Sequence, residues 1–336
     1  MLNTSESRVK ERWREIRGSC PVCGRKGWCR ISPDGAFVSC RRQEYGAART
    51  VNYRDGSQAF LHRLDGYTPP PPVSPPIPDT PRADDADLDK VYRAILERLT
   101  LACRHREQLQ SRGLSRADIE RAGYRSLPAA CRAGIVKPLR ERFADALLLS
   151  VPGVLSRDGP HGRYLTLGGL PGLLIPVRSA AGHVVGLVVR PDDPGDGGKY
   201  RWLSSKYAGG PGPGARIHVP VGVKPGGRVV LVEGTLKSDV AFALAGRKRT
   251  VLGLPGPHVI NEALTTLRAL EAEEVLLAFD TDVTSNPHVA EAQYHGLYRL
   301  RDDAGFGDKA GLLRWPPELG KGLDDALLTG RKGGPS

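Results

Sequence analysis

VLLAFDTD, residues 275–282, decides how the C-terminal part of this 336-residue chain is read. Five apolar residues run straight into Asp280, and a single threonine separates it from Asp282. A short, continuous apolar run bounded by polar residues is the pattern of a strand buried on both faces. Ending such a strand on two neighbouring carboxylates is unfavourable, because like charges repel and a desolvated charge needs a partner. A positive party must meet them, and a divalent metal ion is one such party.

Outward from this stretch, RVVLVEG (228–234), TVLGLPG (250–256) and GLLRWP (311–316) are further short strand patterns. TLKSDVAFALAG (235–246), NEALTTLRALEAEE (261–274) and a segment opened by Pro287 carry helical spacing between them. Strands alternating with helices imply a parallel, Rossmann-like sheet covered on both faces. Ligands of such sheets bind beyond the carboxyl ends of the strands. Glu233 ends the first strand and Asp280 and Asp282 end the third, so all three reach one rim. Hard carboxylate oxygens suit Mg²⁺ or Mn²⁺. An isolated Asp-x-Asp is as often a surface turn or a helix cap; its place in this strand order favours the metal. GKGLDDALL (320–328) adds Asp324 and Asp325, either as a further acidic position or as the N-terminal cap of a last helix.

Residues 86–150 look mainly helical, with Val91, Ile95, Leu99 and Cys103 along one stripe and Ser115 as an N-cap. From about residue 165, GLLIPVRS, HVVGLVVRP, KYRWLSS and ARIHVP read as strands and turns. Ahead of all this lies YTPPPPVSPPIPDTPRADDAD, with eight prolines between Pro69 and Pro81. Such a segment extends as a semi-rigid polyproline spacer at about 3 Å per residue. Four parts are therefore expected: 1–66, a spacer 67–85, 86–226 and 227–331.

The first part contains CPVCGRKGWCRISPDGAFVSC, with Cys20, Cys23, Cys29 and Cys40. Four thiolates complete a tetrahedral zinc shell, and a module this small needs such a staple. Cys29 has the loosest spacing, and His62 is the nearby histidine substitute. Cys103 and Cys131 stand alone and read as small core residues. Arg25, Lys26, Arg30, Arg41 and Arg42 surround the cysteines, with Trp28 and Phe37 among them. The aromatics either stack on bases of a single strand or pack beneath the zinc.

The net charge is +12, and residues 1–65 hold 13 Lys/Arg against 7 Asp/Glu, half of the excess. A polyanion is the simplest partner for such a surface. No secretory signal and no membrane-length apolar run is visible, so the expectation is a cytoplasmic chain in which clustered cysteines bind metal.

VVLVEG, LLAFDTD and GKGLDDALL, in that order, resemble the Toprim domain of bacterial-type primases, topoisomerases and some nucleases. GHVVGLVVRP followed by KYRWLSS resembles the basic segment that precedes Toprim in bacterial-type DNA primases, and the four-cysteine module resembles their zinc-binding domain. The whole order resembles a primase of the kind carried by phages, plasmids and other mobile elements. The resemblance implies an N-terminal zinc ribbon, a helical-then-β basic subdomain and a C-terminal Toprim domain. It implies a catalytic role for Glu233, as metal ligand or general acid/base. It implies catalytic Mg²⁺ or Mn²⁺ at Glu233, Asp280 and Asp282, assisted by Asp324. Arg190, Lys199, Arg201, Lys206 and Lys237 would meet template and incoming nucleotide. The replicative enzymes place an aspartate where this chain has Lys237. The activity implied is synthesis of short RNA primers on single-stranded DNA from NTPs. With no Walker A motif and no room for a helicase-binding domain after RKGGPS, a helicase partner would be a separate chain. The alternatives are a Toprim nuclease and a non-catalytic, zinc-dependent binder of single-stranded DNA.

Overall fold

The structure, a computed structural model, describes residues 13–27, 29–44, 47–52, 58–64, 81–195, 198–255, 260–281 and 287–332. The proline-rich spacer lies almost entirely outside them. The chain divides into two compact units, Met1–Ile77 and Pro78–Ser336.

The first unit is an antiparallel five-stranded sheet of β1 (Arg14–Glu15), β2 (Arg30–Ile31), β3 (Phe37–Cys40), β4 (Arg49–Asn52) and β5 (Gln58–Arg63), in the order β1-β2-β3-β5-β4. Its core is Val38 with Cys20, Cys29 and Cys40, flanked by Ile16, Val22, Ile31 and Leu64. So few apolar side chains cannot stabilise a sheet alone.

The second unit opens with α1 (Asp85–Glu97), whose first turn is capped by the Asp84 side chain accepting from Asp87 N. Leu88, Val91, Tyr92 and Ile95 of this helix are fully buried. The helix ends at Arg98, and α2 (Cys103–Ser111) begins after a break that resets the helical phase. The buried face of α2 is therefore His105 and Leu109, while Cys103 is exposed. Cys131 is exposed too, so neither cysteine is the core residue expected from the sequence. In α3 (Arg116–Ala122), Ser115 and Asp118 close a capping box. The remaining elements of this part are β6 (Arg125–Leu127), α4 (Ala133–Val136), α5 (Asp145–Leu149), β7 (Val154–Gly159), β8 (Gly162–Leu167), β9 (Gly172–Arg178), β10 (Val184–Pro191) and β11 (Arg201–Trp202). Strands β7 and β8 pair as a hairpin, and the others form an antiparallel sheet in the order β11-β10-β9-β6.

The parallel sheet follows as β12 (Arg228–Glu233), α6 (Thr235–Leu244), β13 (Thr250–Leu254), α7 (Ile260–Ala269), β14 (Glu274–Leu277), α8 (Pro287–Tyr298), β15 (Ala310–Leu312) and α9 (Leu323–Lys332). Strand order is β13-β12-β14-β15, parallel throughout. Both faces are buried. Val229 and Leu231 pack with Ala263 and Leu267 of α7, while Val230 and Val232 pack with Ala241 and Phe242 of α6. The register Leu231↔Leu277 sets Glu233 and Asp280 at one edge.

Helix α6 also packs Leu236, Val240 and Leu244 against Leu173, Ile175 and Val185 of the antiparallel sheet. A buried polar network crosses the same seam. Tyr124 Oη donates to Asp239 Oδ2 at 2.5 Å, and His218 Nε2 lies 3.1 Å from Asp239 Oδ1. Arg178 N donates to His218 Nδ1 at 3.1 Å, so Nδ1 is the acceptor and Nε2 carries the proton given to Asp239. Burial, with the Asp239 carboxylate beside it, holds the Tyr124 phenol well above its ordinary range. Among the described residues no helix is long and apolar enough to cross a membrane.

Tyr124→Phe keeps the ring and leaves Asp239 Oδ2 without its donor. We expect a loss of about 1–3 kcal/mol in urea unfolding with the far-UV spectrum unchanged. A loss within error would remove this network from the forces holding the two sheets together.

Candidate functional site

Two sites emerge, one in each unit. In the first, Cys20 and Cys23 sit on a tight turn closed by Gly24 N donating to Cys20 O at 2.8 Å, with Gly24 at φ +70°. Cys29 precedes β2 and Cys40 ends β3. All four sulfurs lie within 4.8 Å of one another, and Cys29 Sγ is 3.9 Å from both Cys23 Sγ and Cys40 Sγ. A tetrahedral shell with Zn–S near 2.3 Å has sulfur–sulfur edges of roughly 3.8 Å. Arg42 N and Gln43 N donate to Cys40 Sγ at 3.4 and 3.3 Å, which favours thiolate there. The Arg25 backbone N–H lowers the Cys23 thiol to about 6, whereas burial pushes Cys29 up to about 12 and raises Cys40. Sulfurs this close, with buried thiols that resist ionising, need a cation to become four thiolates together. The cluster fits structural zinc. His62 instead places Nε2 at 2.6 Å from Gln43 O. Arg25, Lys26, Arg30 and Arg42 are exposed around the cluster, Phe37 is partly buried, and Trp28 lies outside the described residues.

The second site is a cleft of about 530 Å³ between the carboxyl edge of the parallel sheet and strands β10 and β11. Glu233 closes β12, and Gly234 takes φ +98° to turn the chain into α6, a backbone state that favours glycine. One turn into α6, Lys237 Nζ lies 2.5 Å from Asp280 Oδ1, and Lys321 Nζ lies 3.9 Å from Asp280 Oδ2. The opposite wall carries Arg190, Lys199, Tyr200 and Trp202. Trp202 lies over Gly186 of β10, where an added Cβ would meet the indole at 2.7 Å.

Arg112, at the end of α2, also lines the cleft and pairs with Asp324, which is only 2% exposed. Burial holds the Asp324 carboxyl above its ordinary range even with Arg112 beside it. Asp325 lines the cleft too, and its Oδ2 accepts from Gly322 N at 3.2 Å, just ahead of α9.

The cleft thus unites Glu233, Asp280, Arg190, Lys199 and Lys237. Arg201 and Lys206 are exposed outside its lining, with Arg201 Nη2 donating to Pro194 O at 2.8 Å. Asp282 lies outside the described residues. Asp324 is held by Arg112. Glu233 and Asp280 are carboxylates of the kind a hard divalent ion takes. Among the described residues, however, the four cysteines form the only group of three or more ligands close enough to share an ion. Sequence reading missed Arg112, Tyr200, Trp202 and Lys321. Tyr200 and Trp202 had a signal: two aromatics spaced i, i+2 among cations lie on one strand face. Arg112 had none, because its partner is 212 positions away.

No family model and no curated protein matches the sequence. In fold, the chain is similar to the RNA polymerase domain of the Mycobacterium tuberculosis primase DnaG, crystallised with a double-stranded DNA oligomer bearing a 6-nucleotide overhang. That likeness has 20% identity and a TM-score of 0.53, covering 75% of this chain and 80% of that one. A DnaG primase catalytic domain bound to ssDNA is similar at 17% identity and a TM-score of 0.53, covering 74% and 75%. The zinc-binding and RNA polymerase domains of the Aquifex aeolicus primase cover 96% of this chain and 79% of that one, at 15% identity and a TM-score of 0.53. At these identities the likeness is one of fold. A cysteine cluster, then helices and antiparallel strands, then a parallel sheet follow one another as in the bacterial primase zinc-binding and core domains.

The purified chain is expected to carry about one zinc ion, and Cys40→Ser to lose most of it, as read by elemental analysis. Full zinc in Cys40→Ser would take Cys40 out of the shell.

Proposed function

We propose that this chain is a DNA primase, a nucleotidyltransferase that makes short RNA primers on single-stranded DNA. The observation that carries the reading is the cleft itself: two strand-end carboxylates face two cations and two aromatics across one opening. The fold likeness to primase catalytic domains, two of them crystallised with DNA, supports it.

The chemistry joins a 3′ hydroxyl oxygen to the α-phosphorus of an NTP, breaks the α–β bridge and releases pyrophosphate, with the hydroxyl proton passing to water or to the Glu233 carboxylate. A divalent cation held by Glu233 and the substrate phosphates would lower the cost of negative charge on the reacting phosphate. Arg190 and Lys199 neutralise the triphosphate, the arginine through paired N–H donors and the lysine as a point charge. Tyr200 and Trp202 offer planes on which template or incoming bases stack, worth about 1–3 kcal/mol per base. Residues 86–226 and 227–331 supply the two walls. The zinc module, joined through residues 67–85, raises the local concentration of template.

The test is NTP incorporation by the full chain on unprimed circular single-stranded DNA with Mg²⁺ or Mn²⁺. We expect labelled oligomers, and yields at least about 100-fold lower for Glu233→Gln and Asp280→Asn with DNA binding retained. Template binding without oligomers from the wild-type chain would defeat the reading. Strand cleavage without NTPs would replace it with a nuclease.

A further inference from the structure

Helix α6 has one charged side chain that leaves the core. Of its ten residues only Lys237 and Ala243 are not buried, and Lys237 enters the cleft. Its ammonium stands 2.5 Å from Asp280 Oδ1, while Lys321 faces Oδ2 at 3.9 Å. Asp280 is 9% exposed, so both oxygens of a nearly buried carboxylate face lysine.

The geometry points to Lys237 as a built-in cation that holds the place of a second divalent ion. The cleft then takes one such ion, on Glu233 and the phosphates of the substrate. This rests on the metal-dependent reading above.

Three observations lead to it. A divalent ion binds a carboxylate oxygen at about 2.1 Å, so an ion on Asp280 Oδ1 would sit against the Lys237 ammonium. Like charges so close in a half-buried site exclude one another. Second, the cleft already has a positive surplus: Arg190, Lys199, Lys237 and Lys321 face Glu233, Asp280 and Asp325, with Arg112 paired to Asp324. Two added ions would deepen that surplus, whereas a triphosphate bringing one ion relieves it. Third, the neighbouring acid is half committed, since Asp324 Oδ2 is paired with Arg112 while Oδ1 is buried without a partner. The backbone is also shaped around this arrangement. A Cβ on Gly322 would come 2.5 Å from Asp324 Oδ1 and 3.5 Å from Lys237 Cε. The nucleotide-free cleft is thus a polyphosphate site first and a metal site second.

Counting bound Mn²⁺ by electron paramagnetic resonance tests this on the full, zinc-loaded chain without nucleotide or template. The wild type is expected to bind no more than one ion, and Lys237→Met to gain one ion or to bind Mn²⁺ about 10-fold more tightly. Lys237→Arg keeps the charge and should match the wild type. Adding Asp280→Asn to Lys237→Met should abolish the gain. Two ions on the wild type, no gain in Lys237→Met, or a gain in Lys237→Arg would each overturn the inference. The wild-type count decides by itself should Lys237→Met fail to fold. Because the count needs no synthesis, it is independent of whether the chain makes primers.

Discussion

Helix α6 has to be buried on two flanks, and the cleft exists because of it. Its sequence, TLKSDVAFAL, has no polar face to give to water. A helix covered nearly all round must lie between two layers. One flank packs on the parallel sheet through Ala241 and Phe242, the other on the antiparallel sheet through Leu236, Val240 and Leu244. Asp239 faces the second flank, and its desolvation is offset by donors from Tyr124 and His218. With α6 held this way, its first turn and Lys237 sit opposite Arg190 and Lys199.

The acids at the strand ends are tolerable for related reasons. The charge of Asp280 is met in the folded chain by ammonium groups facing both of its oxygens. Asp324 is compensated through one oxygen, Oδ2, by Arg112, which comes from the far end of α2. Salt bridges of this burial recover their desolvation only through close geometry. They therefore fix side-chain positions along the cleft more than they add stability. The cysteine cluster obeys the same rule with softer ligands: buried thiols raised by burial come together only where a cation can share them.

Much of this was readable from local pattern. The run VVLVEG and the run VLLAF gave both-face burial, and their parallel pairing set Glu233 and Asp280 at one edge. Cysteine spacing gave the four-sulfur cluster. Other features were out of reach. The stripe held for Val91, Ile95 and Leu99 but not for Cys103, because the helix stops at Glu97 and a five-residue break changes which face is buried. Strand β6 was hidden because three residues carry too little periodicity to separate a strand from a helix end.

The sequence by itself determined the alternation of strands and helices, the acids that end two core strands, and the four sulfurs, because each depends on residues close together in the chain. Only the tertiary structure decided which charges meet. That Asp280 faces Lys237 and Lys321, that Asp324 faces Arg112, and that Asp239 faces Tyr124 and His218 depends on elements far apart in sequence. Charge pairing follows distance in space, and no periodicity in the chain encodes it.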